Sequence, residues 1–406
     1  MKRTKNWSGW IAVLGTACGV VYMFWPPPIQ PVRFWDTYEY LLWPKPLVQD
    51  GVTLMGARPV GYAATLAVVG SGVALAHLQT WISVCSWSTL GWTVGRVPGL
   101  VFALLLAYST PVRLWNLIAL TESLSISLAV LLIAITTILV RRWDWRWYGA
   151  WVSVAVWFVS IRDANLILLP FFMVPLRACG RRRFLAALVP IACVAAATLW
   201  QANRETRWKP GYQTAIMTRV IVDSSARREF EAAGMPHRPF REDRIAFLDW
   251  LGTTGRGFYT SWFLRQPDSY RRPWDYFFRG GDAFGLPTTD LVEHFGKKFF
   301  AKLQAYRGAA AALADSVFRL LAAPVVVGMS FVLVPLVEWR WRGSVGLASQ
   351  WVALLTIGVF VHGFAAYNLS GSDHSRHLLL SSVLYRVIPL FLGVAVADMW
   401  RGSRNP

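Results

Sequence analysis

Long apolar stretches alternate with short basic clusters along most of this chain. A run of about 20 apolar residues is long enough for a helix to cross the hydrocarbon core of a bilayer. The alternation therefore predicts a polytopic membrane protein with about ten transmembrane helices. The predicted spans cover approximately 8–25, 70–94, 97–111, 118–140, 148–161, 164–178, 184–200, 311–337, 345–367 and 378–399.

One long polar segment, 201–310, interrupts the pattern and divides the chain. Apolar residues inside it recur at helical spacing, which predicts a mainly helical soluble domain. We therefore expect an all-α protein in three parts. These are a membrane module at 1–200 with spans one to seven and a first outer loop at 26–63, the outer domain at 201–310, and a membrane module at 311–406 with spans eight to ten.

The basic residues predict the orientation, because short cytoplasmic loops are enriched in Lys and Arg. Lys2, Arg3 and Lys5 precede the first span, and Arg141 and Arg401 follow two later ones. We expect a multi-pass protein of the cytoplasmic (inner) membrane with both termini in the cytoplasm. The loop at 26–63 and the domain at 201–310 then face the periplasm or the outside.

Composition and charge limit the classes of function that this chain can have. The chain is 55% hydrophobic and only 16% charged, whereas soluble domains are about 25% charged. This excludes a soluble enzyme. The net charge is +19, but the cations adjoin apolar runs, where they contact anionic membrane lipids. We therefore expect no nucleic-acid partner, and we expect some cations to meet an anionic ligand.

The acidic residues outside the polar domain fall into two groups. Asp144, Glu338 and Asp398 lie among arginines at predicted cytoplasmic ends, and we interpret them as loop charges. Others map to the outer face beside cations, a combination suited to chemistry on an anionic lipid head group. The outer-face acids and cations are Asp36, Glu39, Asp50, Glu122, Asp163, Asp373, Arg58, Arg113, Arg162, Arg376, His374 and His377.

Four short motifs occur in order on this topology. Trp35-Asp36-Thr37-Tyr38-Glu39-Tyr40 lies in the first outer loop, and Arg58-Pro59-Val60-Gly61-Tyr62 precedes span two. Leu120-Thr121-Glu122-Ser123-Leu124 opens span four, and Ser160-Ile161-Arg162-Asp163-Ala164-Asn165 opens span six. Over roughly the first 180 residues, this order resembles the bacterial GT-C superfamily of polyprenyl-phosphate-dependent membrane glycosyltransferases.

The resemblance implies an inverting glycosyltransferase with a polyprenyl-phosphate sugar as donor and a glycan, lipid or protein as acceptor. Asp36 matches the catalytic acidic residue of the family, which implies that it takes the proton of the acceptor hydroxyl, but no second acidic residue adjoins it. Glu39, three residues on, shares a helical face with it. This departure leaves the need for a divalent metal open, and no cofactor is assigned. The expected substrate- and phosphate-binding residues are Arg58, Tyr62, Glu122, Arg162, Asp163, His374 and Arg376.

Three other functions remain open. A flippase or transporter of a lipid-linked saccharide also needs outer cations and an apolar groove, but the chain has no paired repeats of the transporter kind. A lipid-linked polymer ligase places its key Arg and His in a large basic outer loop. A scaffold subunit retains the fold without activity.

Overall fold

The computed structural model describes a set of separate ranges of the chain. These are residues 31, 33, 35–41, 47–49, 52–55, 59–204, 208–239, 242–279, 309–321, 332–340, 345–369 and 374–403.

Helices dominate the first half of the described chain. They are α1 (Trp35–Leu41), α2 (Val60–Val69), α3 (Val73–Tyr108), α4 (Thr110–Trp115), α5 (Thr121–Arg141), α6 (Trp145–Ile161), α7 (Leu169–Met173) and α8 (Arg181–Arg204). A short antiparallel hairpin of β1 (Leu47–Gln49) and β2 (Val52–Met55) accompanies these helices. It pairs Val48 with Thr53 and Gln49 with Val52.

The second half of the described chain is also helical. Its helices are α9 (Trp208–Ala215), α10 (Ser224–Ala232), α11 (Arg244–Trp250), α12 (Arg256–Arg265), α13 (Pro267–Arg279), α14 (Ala309–Leu320), α15 (332–340), α16 (Leu347–Leu369) and α17 (His374–Ser403). Single π-turns, Ile216–Val220 and Leu251–Gly255, follow α9 and α11.

Within the described residues, five helices are long and apolar enough to cross a membrane. They are Val73–Tyr108, Thr121–Arg141, Arg181–Asn203, Leu347–Asn368 and His377–Trp400. The chain is therefore a helical protein with membrane-spanning character. The first predicted span, 8–25, lies outside the described residues.

The helix α3 reverses direction at Arg96, which has the left-handed backbone angles φ 56° and ψ −134°. Gly91 and Gly99 then face each other so closely that a Cβ on Gly91 would lie 2.5 Å from the Gly99 carbonyl oxygen. Residues eight apart in a straight helix are about 12 Å apart. The expected boundary between spans two and three therefore coincides with this turn.

The predicted sixth span, 164–178, is not one continuous helix. A 3₁₀ turn (Asp163–Ile167), the helix α7 and a second 3₁₀ turn (Val174–Cys179) occupy it. Pro170 and Pro175 start the last two elements and lack the backbone N–H that a continuous helix would need there. The prediction of a regular span is wrong here for that reason.

The helix α5 lies at the centre of the main core, and α8 lies at its margin. Within an apolar stretch of 18 residues in each helix, 83% of the residues of α5 are buried, but only 11% of those of α8 are. The helices α3, α6 and α17 pack around α5. Interior polar contacts add specificity, as when Trp151 Nε1 donates to Thr136 Oγ1 at 2.9 Å.

A second apolar core, separate from the first, is formed by residues between Ala215 and Phe263. Phe230 is at its centre, with Phe258 and Trp262 in edge-to-face contact at 4.9 Å and 5.4 Å between ring centroids. Phe364 of α16 packs against this core. The segment therefore has its own interior and is docked on a helix of the main bundle.

Candidate functional site

Glu122 occupies the first turn of α5 and is only 2% exposed. The partial positive charge at a helix N-terminus favours a carboxylate in this position. Thr121 Oγ1 donates to Glu122 Oε2 at 3.3 Å. Gln79 Nε2 holds the preceding loop by donating to the carbonyls of Ile118 and Leu120, at 3.2 Å and 3.3 Å. These two hydrogen bonds hold the loop that immediately precedes α5 and Glu122.

Arg162 joins this carboxylate to a third helix. It lies between α6 and the first 3₁₀ turn, and its side chain is 15% exposed. Nη1 lies 3.4 Å from Glu122 Oε1, and Nη2 contacts Nδ1 of His377 on α17. We call Glu122, Arg162 and His377 the carboxylate–guanidinium cluster. It brings together two predicted binding residues and one outer-face histidine.

The backbone around Arg162 is held by a buried amide. Asn165 Nδ2 donates to Ser125 Oγ at 3.0 Å and to the Phe158 carbonyl at 2.7 Å. These contacts tie the turn after α6 to the first turns of α5. Asp163, another predicted binding residue, begins the 3₁₀ turn beside Arg162. The turn therefore has a determined position relative to Glu122.

The helix α1, which contains Asp36 and Glu39, is attached to the same end of the bundle. Thr37 is fully buried, and its Oγ1 donates to the Ala119 carbonyl at 2.7 Å. Tyr40 meets Tyr62 of α2 edge-to-face, with 4.9 Å between ring centroids. Ala119 is three residues before Glu122, so the α1 backbone runs beside the loop that leads to the carboxylate–guanidinium cluster.

Tyr62 is the fourth predicted binding residue at this end of the bundle, after Glu122, Arg162 and Asp163. Its ring is fully buried, and its hydroxyl group lies within electrostatic range of Glu122 and next to Gln79. The remaining predicted side chains, those of Asp36, Glu39, His374 and Arg376, and the whole of Arg58, lie outside the described part of the chain.

His362 of α16 is a hydrogen-bonded residue of the core. It is 1% exposed, and its Nδ1 lies 2.6 Å from Ser381 Oγ. It is also within electrostatic range of Arg162, which no sequence pattern indicated. An isolated histidine in an apolar span is the only signal that the sequence offers for this position.

Two of the three acids that we interpreted as loop charges line a cavity of the helical bundle. Glu338 is 2% exposed, and Asp398 lines a cavity together with it and Arg141. The interpretation of Glu338 as a loop charge is wrong, because it lies in α15, is buried and accepts a hydrogen bond from the backbone N–H of Gly346 at 3.0 Å. Asp144 instead caps α6 by accepting from the Arg146 N–H at 2.8 Å.

Among the described side chains, no group of three or more His, Cys, Asp or Glu residues is arranged to hold a metal ion. No family model, no curated protein and no solved structure matches this chain. The functional argument therefore rests on the geometry of the carboxylate–guanidinium cluster and on the residues beside it.

Proposed function

We propose that the chain is an inverting glycosyltransferase of GT-C type with about ten spans. It moves a sugar from a polyprenyl phosphate to an acceptor hydroxyl on the outer face of the cytoplasmic membrane. One observation supports this above all others. The buried Glu122–Arg162 pair lies at the end of the bundle to which α1, the helix of Asp36 and Glu39, is attached.

The pair suits a phosphate leaving group. An arginine binds phosphate oxygens through two parallel N–H groups, and a neighbouring carboxylate fixes the direction of that fork. Glu122 contacts one terminal nitrogen of Arg162, and His377 contacts the other. Charge that develops on the departing phosphate would be stabilised at a pre-formed site.

The reaction that we propose needs one base. The Asp36 carboxylate takes the proton of the acceptor hydroxyl as the acceptor oxygen forms a bond to the anomeric carbon. The bond between that carbon and the phosphate oxygen breaks, and the polyprenyl phosphate leaves with the electron pair. Attack from the opposite face inverts the anomeric centre. A leaving phosphate needs no strong general acid.

The test is sugar transfer by the full chain in nanodiscs, with a panel of radiolabelled polyprenyl-phosphate sugars and a crude envelope acceptor. Asp36→Asn should abolish transfer and retain donor binding, because the amide keeps the shape and loses the base. Arg162→Lys should reduce transfer by about 100-fold, since a lysine cannot reproduce the bidentate fork. Glu242→Gln is the matched control, because that carboxylate is exposed and pairs with Arg238.

Four outcomes would contradict the proposal. Full transfer by Asp36→Asn would remove the assigned base. Movement of the donor across the membrane without transfer would indicate a flippase or transporter. Donor binding by the wild type with neither transfer nor movement would indicate a scaffold subunit. Transfer of a lipid-linked polymer that is insensitive to Asp36→Asn would indicate a ligase.

A further inference from the structure

The opposite end of the bundle, where α5 ends, holds a cavity of about 290 Å³. Its wall is formed by α3, α5, α15, α16, α17 and the residue before α16. Charged and aliphatic side chains share that wall, among them Val94, Arg141, Glu338, Leu347, Val394 and Asp398. Ligand pockets for drug-sized molecules begin at about 300 Å³. The cavity therefore suits a small polar group with an apolar attachment.

The cation of this cavity is held in place. Arg141 is the last residue of α5, and its Nη1 donates to the carbonyl oxygen of Thr93 on α3. Asp398 and Arg96 both lie within electrostatic range of it. The negative end of the α5 dipole favours a cation at this position. The guanidinium is thus a fixed donor group in the wall, with N–H groups beyond the one that Thr93 accepts.

The carboxylate of Glu338 is fixed by the backbone. Its Oε2 accepts from the Gly346 N–H at 3.0 Å. A Cβ on Gly346 would lie 2.5 Å from Glu338 Oε1, so a larger residue there would require this carboxylate to shift. Asp398 of α17 supplies a second carboxylate to the same wall. The cavity therefore presents two acids and one arginine, with a second arginine, Arg96, nearby.

We propose that this cavity binds the head group of a phospholipid that carries a primary ammonium. The phosphate lies on Arg141, and the three ammonium donors meet Glu338 and Asp398. A zwitterion balances a wall that has charges of both signs, whereas a simple anion would face two carboxylates. The aliphatic side chains of Val94, Leu347 and Val394 suit the apolar part of a lipid. This site does not depend on the proposed transfer reaction.

The test is lipid retention by the full chain, purified in mild detergent and measured by native mass spectrometry. The protein is equilibrated with equal amounts of phosphatidylethanolamine, phosphatidylcholine and phosphatidylglycerol. We expect the ethanolamine lipid to be retained at least tenfold over the other two. Phosphatidylcholine has no ammonium donor, and phosphatidylglycerol has no cation. The double variant Glu338→Gln/Asp398→Asn should reduce the preference to less than twofold.

Two further variants keep the test decisive if the double variant does not fold. Val394→Phe should also abolish retention, because it fills the cavity and leaves every charge in place. Asp144→Asn is the matched control and should leave the preference unchanged. That carboxylate is at the same end of the bundle, and it caps α6 without lining the cavity.

Three results would overturn the assignment. Equal retention of the ethanolamine and choline lipids would show that the ammonium donors are not recognised. A tenfold preference that survives Val394→Phe would place the lipid elsewhere on the protein. Displacement of the lipid by an equal concentration of soluble glycerophosphoethanolamine would assign the site to a soluble zwitterion instead.

Discussion

Each end of α5 carries a charged side chain, and the surroundings of the two charges differ. At its first turn, the buried Glu122 is satisfied by Arg162 and by Thr121. At its last residue, Arg141 contacts a backbone carbonyl and lines a cavity with two carboxylates. Each charge has the sign that the helix dipole favours at its end. The first end holds a network of side chains around Arg162, and the second end holds a cavity.

The largest effect on stability is expected from breaking the Glu122–Arg162 pair. Arg162→Gln removes the cation that faces Glu122 and leaves a buried carboxylate without its partner. We expect the free energy of unfolding to fall by about 3–5 kcal/mol, measured by denaturant unfolding in nanodiscs. The double variant Arg162→Gln/Glu122→Gln should recover part of this loss, because the stranded charge is then neutral. A loss of less than about 1 kcal/mol for the single variant would contradict the assignment of a buried pair.

An intermediate effect is expected at the other end. In Gly346→Ala, the new methyl group would meet Glu338 Oε1 at 2.5 Å and displace the carboxylate. We expect a destabilisation of about 1–3 kcal/mol and weaker retention of the ethanolamine lipid. Gly149→Ala in α6 is the matched control, since a Cβ there would have nothing within 4 Å. The control should be neutral or stabilising by up to about 1 kcal/mol. Equal unfolding midpoints for the two variants would show that Glu338 is not held by Gly346.

The smallest effect is expected at the half-buried ion pair of Arg227 and Glu231, which belongs to neither end of α5. Donation from Arg227 and then contact with His237 hold the pKa of Glu231 below its ordinary value of about 4.3. A depressed carboxyl pKa contributes stability that is present above the ordinary value and is lost as the pH falls through the lowered one. Glu231→Gln should therefore lower the unfolding midpoint slightly at pH 7, and the difference from the wild type should disappear as the pH falls below about 4.3. A large loss at pH 7 would place Glu231 in a buried network.

The apolar pattern predicted several helices closely. The expected spans 118–140, 184–200, 345–367 and 378–399 correspond to α5, α8, α16 and α17. In a bilayer, a run of about 20 apolar residues must satisfy its own backbone hydrogen bonds, which a helix does. The position of such a helix therefore depends only on the residues of the run itself. The pattern failed at 164–178, where two prolines divide the segment. A proline among leucines changes the mean hydropathy of a segment only slightly. It nevertheless removes a backbone N–H that a continuous helix needs as a hydrogen-bond donor.

The site was predictable only in part. Glu122, Arg162, Asp163 and Tyr62 were proposed from the order of motifs, and the structure brings them to one end of the bundle. The contact of His377 with Arg162 was not predicted, because it joins residues 215 positions apart. Glu338 was misassigned for a related reason. Its neighbours in sequence are arginine and tryptophan, but its partner is the backbone of Gly346.

The sequence alone indicates a helical chain whose longest helices are apolar enough to cross a membrane, where those helices lie, and which sign of charge lies at each end of α5. These properties depend on residues within one or two helical turns of each other. The tertiary structure alone decided which charges meet and where a cavity remains. Partner choice for Arg162 and Arg141 depends on helices distant in sequence, and hydropathy and spacing contain no information about their relative positions.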